Sequence, residues 1–255
     1  MRKILVIGIG AGDPDHLTLQ AVKAIETADV FFILDKGREK ADLVELRQEI
    51  LSRHAGDRPY RVVAAADPER DRSAPPPAYA PAVDDWRRRR ADICEALIRD
   101  ALKDGERGAF LVWGDPALYD STIAIMDDIQ ARGAVSFDYE VLPGISSVSA
   151  LAARHRTGLN RVGRPVRITT GRRLAEEGFP EDADDVVVML DAHQGYLGLR
   201  DEDLQIHWGA YVGTPDEILV AGPLTEVADR ISEARSEARN RKGWIMDTYL
   251  LRRRR

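Results

Sequence analysis

Three short stretches combine glycine, proline and small polar residues in a way that could hold a small molecule against the main chain. They are GIGAGDPDHLT at 8–18, WGDPALYDST at 113–122 and LPGISSVSA at 142–150. Glycine lets the backbone turn sharply and lets a ligand lie close to it. In the first stretch Gly8, Gly10 and Gly12 precede Asp13-Pro14-Asp15. A dinucleotide fingerprint needs its third glycine at position 13, where this chain has Asp13. Asp13 and Asp15 also put negative charge where a pyrophosphate would rest on a helix N-terminus. The expected ligand therefore has no phosphate and is held through ribose, base and main-chain contacts. Asp35, which closes VFFILD, falls where an NAD fold has its ribose acid, so a nicotinamide-dependent oxidoreductase is the competing class.

The elements that carry these stretches follow from hydrophobic patterning. Apolar runs at 4–7 and 109–112 read as buried strands, the first of them continuous and bounded by glycines, which implies a parallel sheet, and 30–35, 60–66 and 139–142 read as further strands. Helical spacing between them is found from 18, where Thr18 is the expected N-cap, at 42–54, at 85–103 and at 121–130. Each of the three stretches then lies at the carboxyl end of a strand, where open α/β sheets gather their ligands. The proline-rich segment 67–85 is expected to be a long loop with polyproline character, packed as a lid by Tyr79 and Trp86. Beyond a junction near 145–147 the pattern changes. A helix at 147–156 leads to strands at 166–170, 186–190, 206–212, 218–221 and 244–250, with a helix at 224–239. The turn Gly213-Thr214-Pro215-Asp216 predicts antiparallel pairing of its flanking strands. The fold class is α/β: a doubly wound parallel N-terminal sheet over 1–146 and an α+β C-terminal domain with a mixed sheet over 147–255.

Composition narrows the function. The 255 residues carry 37 basic and 43 acidic side chains, a net charge of −6 that argues against nucleic acid as a general partner. The arginine runs at 87–90 and 252–255 read as solvated faces. No apolar run is long enough for a membrane span, and the basic start followed by a glycine turn reads as a first strand rather than a signal peptide. The single cysteine, Cys94, fits a reducing cytoplasm. No His/Cys cluster has metal-ligand spacing, so no metal is expected.

Taken together, in this order and at these strand ends, the three motifs resemble those of the class III S-adenosylmethionine (SAM)-dependent methyltransferases, the tetrapyrrole methylases of cobalamin and sirohaem synthesis. The resemblance covers essentially the whole chain, including the 213–216 turn and the Pro223-Leu224 helix start. FFILDKGREKADLVELRQEIL at 31–51 and AVDDWRRRRADICEALI at 82–98 are similar to the deacetylating subgroup of that family. The resemblance implies a homodimer of two-domain chains that binds SAM in the cleft between the domains. Carried over by motif, Pro14 lies at the cofactor's edge, Gly114, Asp115 and Leu118 line the Gly-Asp-Pro loop, and Ser146 and Ser147 follow the Pro-Gly turn. Where the family often has a Tyr-Met pair this chain has Met189-Leu190, so Leu190 keeps the apolar wall without the thioether. Tyr211 and Trp244 fall near the adenine.

For that subgroup the implied reaction is methylation of precorrin-5 at ring carbon C-1 with loss of acetate. Methyl transfer needs mainly positioning, because the sulfonium is already activated. Deacylation needs an activated water and a proton acceptor, for which Asp35, Tyr119, Asp191, His16 and His193 are candidates. Lys36, Arg38 and the arginines at 87–90 are available to the macrocycle's carboxylates, and the 67–85 segment with Trp86 is expected to contact it. Within the family, a methylase of another tetrapyrrole, of ribosomal RNA or of a modified histidine is the nearest alternative. A non-catalytic module that only binds the cofactor is another.

Overall fold

A computed structural model describes residues 1–35, 41–69 and 76–254. The chain divides into two compact units: Met1–Gly10 with Pro14–Ile145, and Ala11–Asp13 with Ser146–Arg255. Only the three residues Ala11–Asp13 leave the first unit before the 145/146 junction.

In the first unit β1 (Arg2–Gly8), β2 (Val30–Asp35), β3 (Arg61–Ala66), β4 (Arg107–Val112) and β5 (Phe137–Leu142) form one parallel sheet in the order β3-β2-β4-β1-β5. Strand alternation divides β1 between two cores. Ile4 and Val6 face a cluster with α3 (Pro76–Ala101) and α4 (Thr122–Arg132), while Leu5 and Ile7 face α1 (Leu19–Thr27) and α2 (Ala41–His54). The sheet is thus doubly wound, as its apolar runs predict. Thr18 caps α1, its side chain accepting from the Ala21 N–H at 3.0 Å.

The 67–85 segment departs from expectation. Among the described residues α3 already begins at Pro76 and contains Pro81. Prolines at the start of a helix lose nothing by lacking an N–H, so a proline-rich stretch is compatible with a first helical turn. Residues 70–75 lie outside the described residues, as do Lys36 and Arg38.

The second unit holds β6 (Val166–Thr170), β7 (Asp185–Met189), β8 (Leu204–Ala210), β9 (Ile218–Pro223) and β10 (Asp247–Arg253) in the order β6-β7-β10-β8-β9. Only β6 and β7 run parallel, and β8 and β9 pair antiparallel across the 213–216 turn. Its main core sets α7 (Leu224–Lys242) against the sheet through Leu224, Ala228, Ile231 and Ala238. α5 (Ser147–Arg154) reaches the sheet through Leu151, whose Cδ1 would stand 2.7 Å from a Cβ at Gly209. The short helix α6 (Gly171–Glu177) between β6 and β7 has no forerunner in the sequence pattern. Among the described residues no helix is long and apolar enough to cross a membrane.

Candidate functional site

The three loops at the carboxyl end of the first sheet are held together by main chain. A Cβ on Gly8 would come within 2.6 Å of the Gly144 nitrogen and 2.9 Å of the Gly114 carbonyl oxygen. A Cβ on Gly144 would stand 2.1 Å from that same Gly114 oxygen. Each motif therefore contributes one glycine to a contact that no side chain could enter. Gly10 and Gly114 also pair as an isolated antiparallel bridge, Gly114 N–H donating to the Gly10 carbonyl at 2.7 Å.

Asp115 ties this contact to the next turn. Its Oδ1 accepts from the Ala117 N–H at 2.7 Å, and its Oδ2 accepts from the Gly144 N–H at 2.9 Å. The carboxylate thus joins the Gly-Asp-Pro loop to the Pro-Gly loop, beyond any contact it makes with a ligand. Leu118 N–H closes the turn onto the Asp115 carbonyl at 3.1 Å, leaving Leu118 half-buried. The next residue, Tyr119, is 46% exposed and has φ +51, a left-handed conformation that a bulky residue adopts at a cost. Pro14 opens a short 3-10 turn, Pro14–His16, and is half-buried. In that turn Asp15 lies 3.7 Å from Arg53, so part of its charge is balanced.

In the second unit the segment Ala11–Asp13 packs on the 213–216 turn, where a Cβ at Gly12 would lie 2.4 Å from Thr214 Cγ2. Thr214 Oγ1 donates to the Tyr211 carbonyl at 2.8 Å and accepts from the Asp216 N–H at 3.2 Å. Ala11, Ser147, Val212, Met246, Asp247 and Thr248 line a cavity of about 20 Å³, room for a water rather than a ligand. Ser146 caps α5, its Oγ accepting from the Ser149 N–H at 3.2 Å. Leu190, just past β7, is 63% exposed at φ +54, so an apolar side chain is held in solvent by a strained backbone.

Two expectations meet buried side chains instead. Tyr211 is 1% exposed, its ring edge-on to Trp244 at 5.2 Å and its hydroxyl donating to the Trp244 carbonyl at 2.5 Å. The ring belongs to the core, and the main chain of Tyr211, at φ +49, is bonded as well, its N–H donating to the Met246 carbonyl and its carbonyl accepting from the Thr214 N–H, both at 2.9 Å. Trp244 packs on the same core. Among the proposed proton acceptors, Asp191 is buried and committed. Its oxygens accept from the N–H groups of His193 and Gly195 and from the Tyr249 hydroxyl, at 3.0, 2.7 and 2.7 Å. Burial, followed by the Asp191 charge, pushes the Tyr249 phenol far up. Asp191 is therefore a structural acid. His193 and Asp35 are exposed, and His16 is half-buried with an Nδ1 that has no partner.

Near the ends of β3 and β4, Trp86 Nε1 donates to the Pro68 carbonyl at 2.9 Å, and Arg90 lies 5.1 Å over the Trp86 ring and 3.0 Å from Asp67. Trp86 and Arg90 thus pin α3 to the end of β3. The arginines Arg87, Arg88 and Arg89 pair with Asp84 and Asp85 on the exposed face of α3. Sequence patterning missed Arg47, which stands in the apolar stripe formed by Leu43, Ile50 and Leu51. A charge in such a stripe was the available signal. Among the described residues no cluster of three or more His, Cys, Asp or Glu side chains could hold a metal ion.

The profile of the tetrapyrrole (corrin/porphyrin) methylases matches residues 3–228. The chain belongs to that family. It is 52% identical over 252 residues to the precorrin-6A synthase [deacetylating] of a Sinorhizobium species, covering 99% of this chain and 95% of that one. The crystal structure of a cobalamin-synthesis-related protein (CobF) from Corynebacterium diphtheriae superimposes with a TM-score of 0.83 at 38% identity, covering 99% and 98% of the two chains. A uroporphyrin-III C-methyltransferase from Thermus thermophilus, solved with S-adenosyl homocysteine, shares the fold with a TM-score of 0.58 at 18% identity, covering 98% and 96%. The oxidoreductase alternative has no support among these relatives.

Proposed function

We propose that this chain is a SAM-dependent C-methyltransferase of cobalamin biosynthesis that methylates precorrin-5 at C-1 and releases acetate, giving precorrin-6A. The observation that carries this is the 52% identity to a deacetylating precorrin-6A synthase along nearly the full length of both chains. The packing of Gly8, Gly114 and Gly144 supports the reading by fixing the three motif loops against one another. SAM would supply the activated methyl and be left as S-adenosylhomocysteine. Deacylation would break the bond between the ring and the acetyl carbon, water supplying the second oxygen of the acetate and the ring keeping the electron pair.

By family resemblance the residues assigned to the cofactor are Pro14, Gly114, Asp115, Leu118, Ser146, Ser147, Leu190, Tyr211 and Trp244. Asp115 acts mainly by fixing the loops, Leu190 by its exposed apolar side chain, and Tyr211 by holding the 213–216 turn through its carbonyl. Of the candidate proton acceptors for deacylation, Tyr119 is favoured by its strained backbone and its exposure in the Gly-Asp-Pro loop. The chain works in the cytoplasm as a homodimer, in line with its family resemblance; sedimentation at micromolar concentration giving a monomer near 28.4 kDa removes the dimer.

The deciding experiment is anaerobic incubation of the protein with precorrin-5 and methyl-labelled SAM. Transfer of one methyl with stoichiometric acetate establishes the reaction. Methylation without acetate, or turnover only of another tetrapyrrole, refutes it. Calorimetry with S-adenosylhomocysteine and with NAD tests the cofactor separately, and tight NAD binding is the adverse result.

A further inference from the structure

Within the first sheet β4 pairs with β1 over six residues, and β2 pairs with β3 over six. β2 and β4 share only Val30–Phe32 against Gly108–Phe110. Beyond Phe110 the two strands diverge, and the Leu111 carbonyl on that side has no strand partner. Arg47 of α2 fills this opening, its Nε donating to the Leu111 carbonyl at 3.0 Å and its Nη1 to the Leu43 carbonyl at 2.7 Å.

Among the described residues no carboxylate lies within ion-pair distance of Arg47, and its Nη2 makes no hydrogen bond. The charges that reach it from farther off are Arg90, already opposite Asp67, and the carboxylates Asp120 and Asp67. Asp120 Oδ1 accepts from the Thr122 N–H at 2.7 Å. Burial, followed by repulsion from Arg90, pulls the Arg47 guanidinium down to about 10. A buried cation bonded only to neutral carbonyls is costly to keep, whereas a carboxylate against Nη2 would form a charge-assisted pair. The opening lies at the carboxyl end of the sheet, where β2 and β4 part, and α/β sheets bind their ligands at that end.

We propose that Arg47 is a specificity-determining residue that binds one carboxylate side chain of the tetrapyrrole in the gap between β2 and β4. This rests on the methylase reading above. The same chemistry is offered by the cofactor's amino-acid end and by released acetate, and the experiment separates the three. Wild type, Arg47→Lys and Arg47→Gln are compared for thermal unfolding, S-adenosylhomocysteine affinity by calorimetry, acetate inhibition, and kcat and KM for precorrin-5. Wild-type turnover is the control: its failure removes the methylase reading, whereas the proposal concerns only differences between variants.

The expected result for Arg47→Gln is a KM raised about tenfold to hundredfold, the range of one charge-assisted hydrogen bond, with S-adenosylhomocysteine affinity unchanged. Arg47→Lys keeps the charge and recovers part of the loss. Asp120→Asn keeps an acceptor for Thr122 while removing the opposing charge, and it lowers KM, an effect that loss of packing would not produce. An unchanged KM in Arg47→Gln, a matching loss of S-adenosylhomocysteine affinity, or weaker acetate inhibition with KM unaltered overturns the proposal. A fall in thermal stability without a KM effect does so too, because Arg47 would then serve only to satisfy the Leu111 carbonyl.

Discussion

The first unit fixes its loops with backbone, while the second fixes its interior with buried charge. At the carboxyl end of the parallel sheet Gly8, Gly114 and Gly144 meet main chain to main chain, with the Asp115 side chain bridging two of the loops. In the second unit Arg235 lies buried between the Asp247 carboxylate and a main-chain carbonyl. Its Nε donates to Asp247 at 3.0 Å and its Nη2 to the Asp191 carbonyl at 2.7 Å, while Trp208 Nε1 also donates to Asp247 at 3.0 Å. The two solutions fail differently. A backbone contact tolerates no added atom but is indifferent to pH. A buried ion pair tolerates changes of shape but not the loss of one charge.

The largest expected effect follows from that second point. Burial holds the Asp247 carboxyl above its usual range, with Arg235 as the first opposing influence. Arg235→Met leaves Asp247 uncompensated and costs about 3–5 kcal/mol, the range for breaking a buried pair. For a chain of this length unfolding as one unit, each kcal/mol corresponds to about 2–4 °C in Tm. Adding Asp247→Asn to Arg235→Met should restore much of the loss in a thermal melt. If the double variant is no better than the single one, charge is not what the network supplies.

Next in size is Gly144→Ala, which tests the backbone contact. The nearest atoms to the new Cβ are the Gly114 oxygen and the main chain of Gly8, neither of which can rotate away. Overpacking of this kind costs about 1–3 kcal/mol. It should also part the two loops, so S-adenosylhomocysteine binding should fall further than stability does. Calorimetry and melting on the same sample compare the two, and a variant that binds normally would show that the contact serves folding alone. Asp115→Ala comes third, costing about 1.5 kcal/mol through two lost charge-assisted acceptors. Asp115→Asn keeps Oδ1 as an acceptor and should lose less.

The same contrast governs how much could be read from sequence. The first unit was legible because both its periodicity and its glycine turns are local: five apolar runs gave five strands, and each motif stood at a strand end. Which glycine touches which was not legible, since that depends on sheet order, with β4 and β5 flanking β1. The start of α3 was misjudged because proline marks loops and helix beginnings alike. In the second unit the strands could be found, but α6 is only seven residues long and opens with glycine, so it left no periodic trace. Asp191 stood among the candidate proton acceptors because sequence shows its polarity and not the N–H groups and the Tyr249 hydroxyl that bury it. Arg47 could have been noticed as a charge inside an apolar stripe, although its place between β2 and β4 could not.

The smallest effect separates the units by pH. His155 and His207, both in the second unit, lie edge-to-face at 5.2 Å, with His155 Nε2 3.0 Å from the Trp208 carbonyl oxygen. Burial, then the His155 ring and Arg252, lowers His207 to about 4, and burial also lowers His155 despite the neighbouring Glu217 charge. An unfolded histidine takes its proton near 6.5. The folded state therefore favours neutral rings: their contribution is intact above pH 6.5, falls as pH drops toward about 4, and is flat below that, where both states are protonated. Both sites are half-buried, so solvent screening reduces the loss to roughly 1 kcal/mol, about 3 °C in Tm. Carboxylates begin to titrate lower down, which leaves pH 6.5 to about 5 as the informative window. Melting His207→Gln beside wild type across that window should show a flatter curve for the variant. Parallel curves would mean that water reaches the pair freely and that the second unit's acid sensitivity resides in its buried carboxylates.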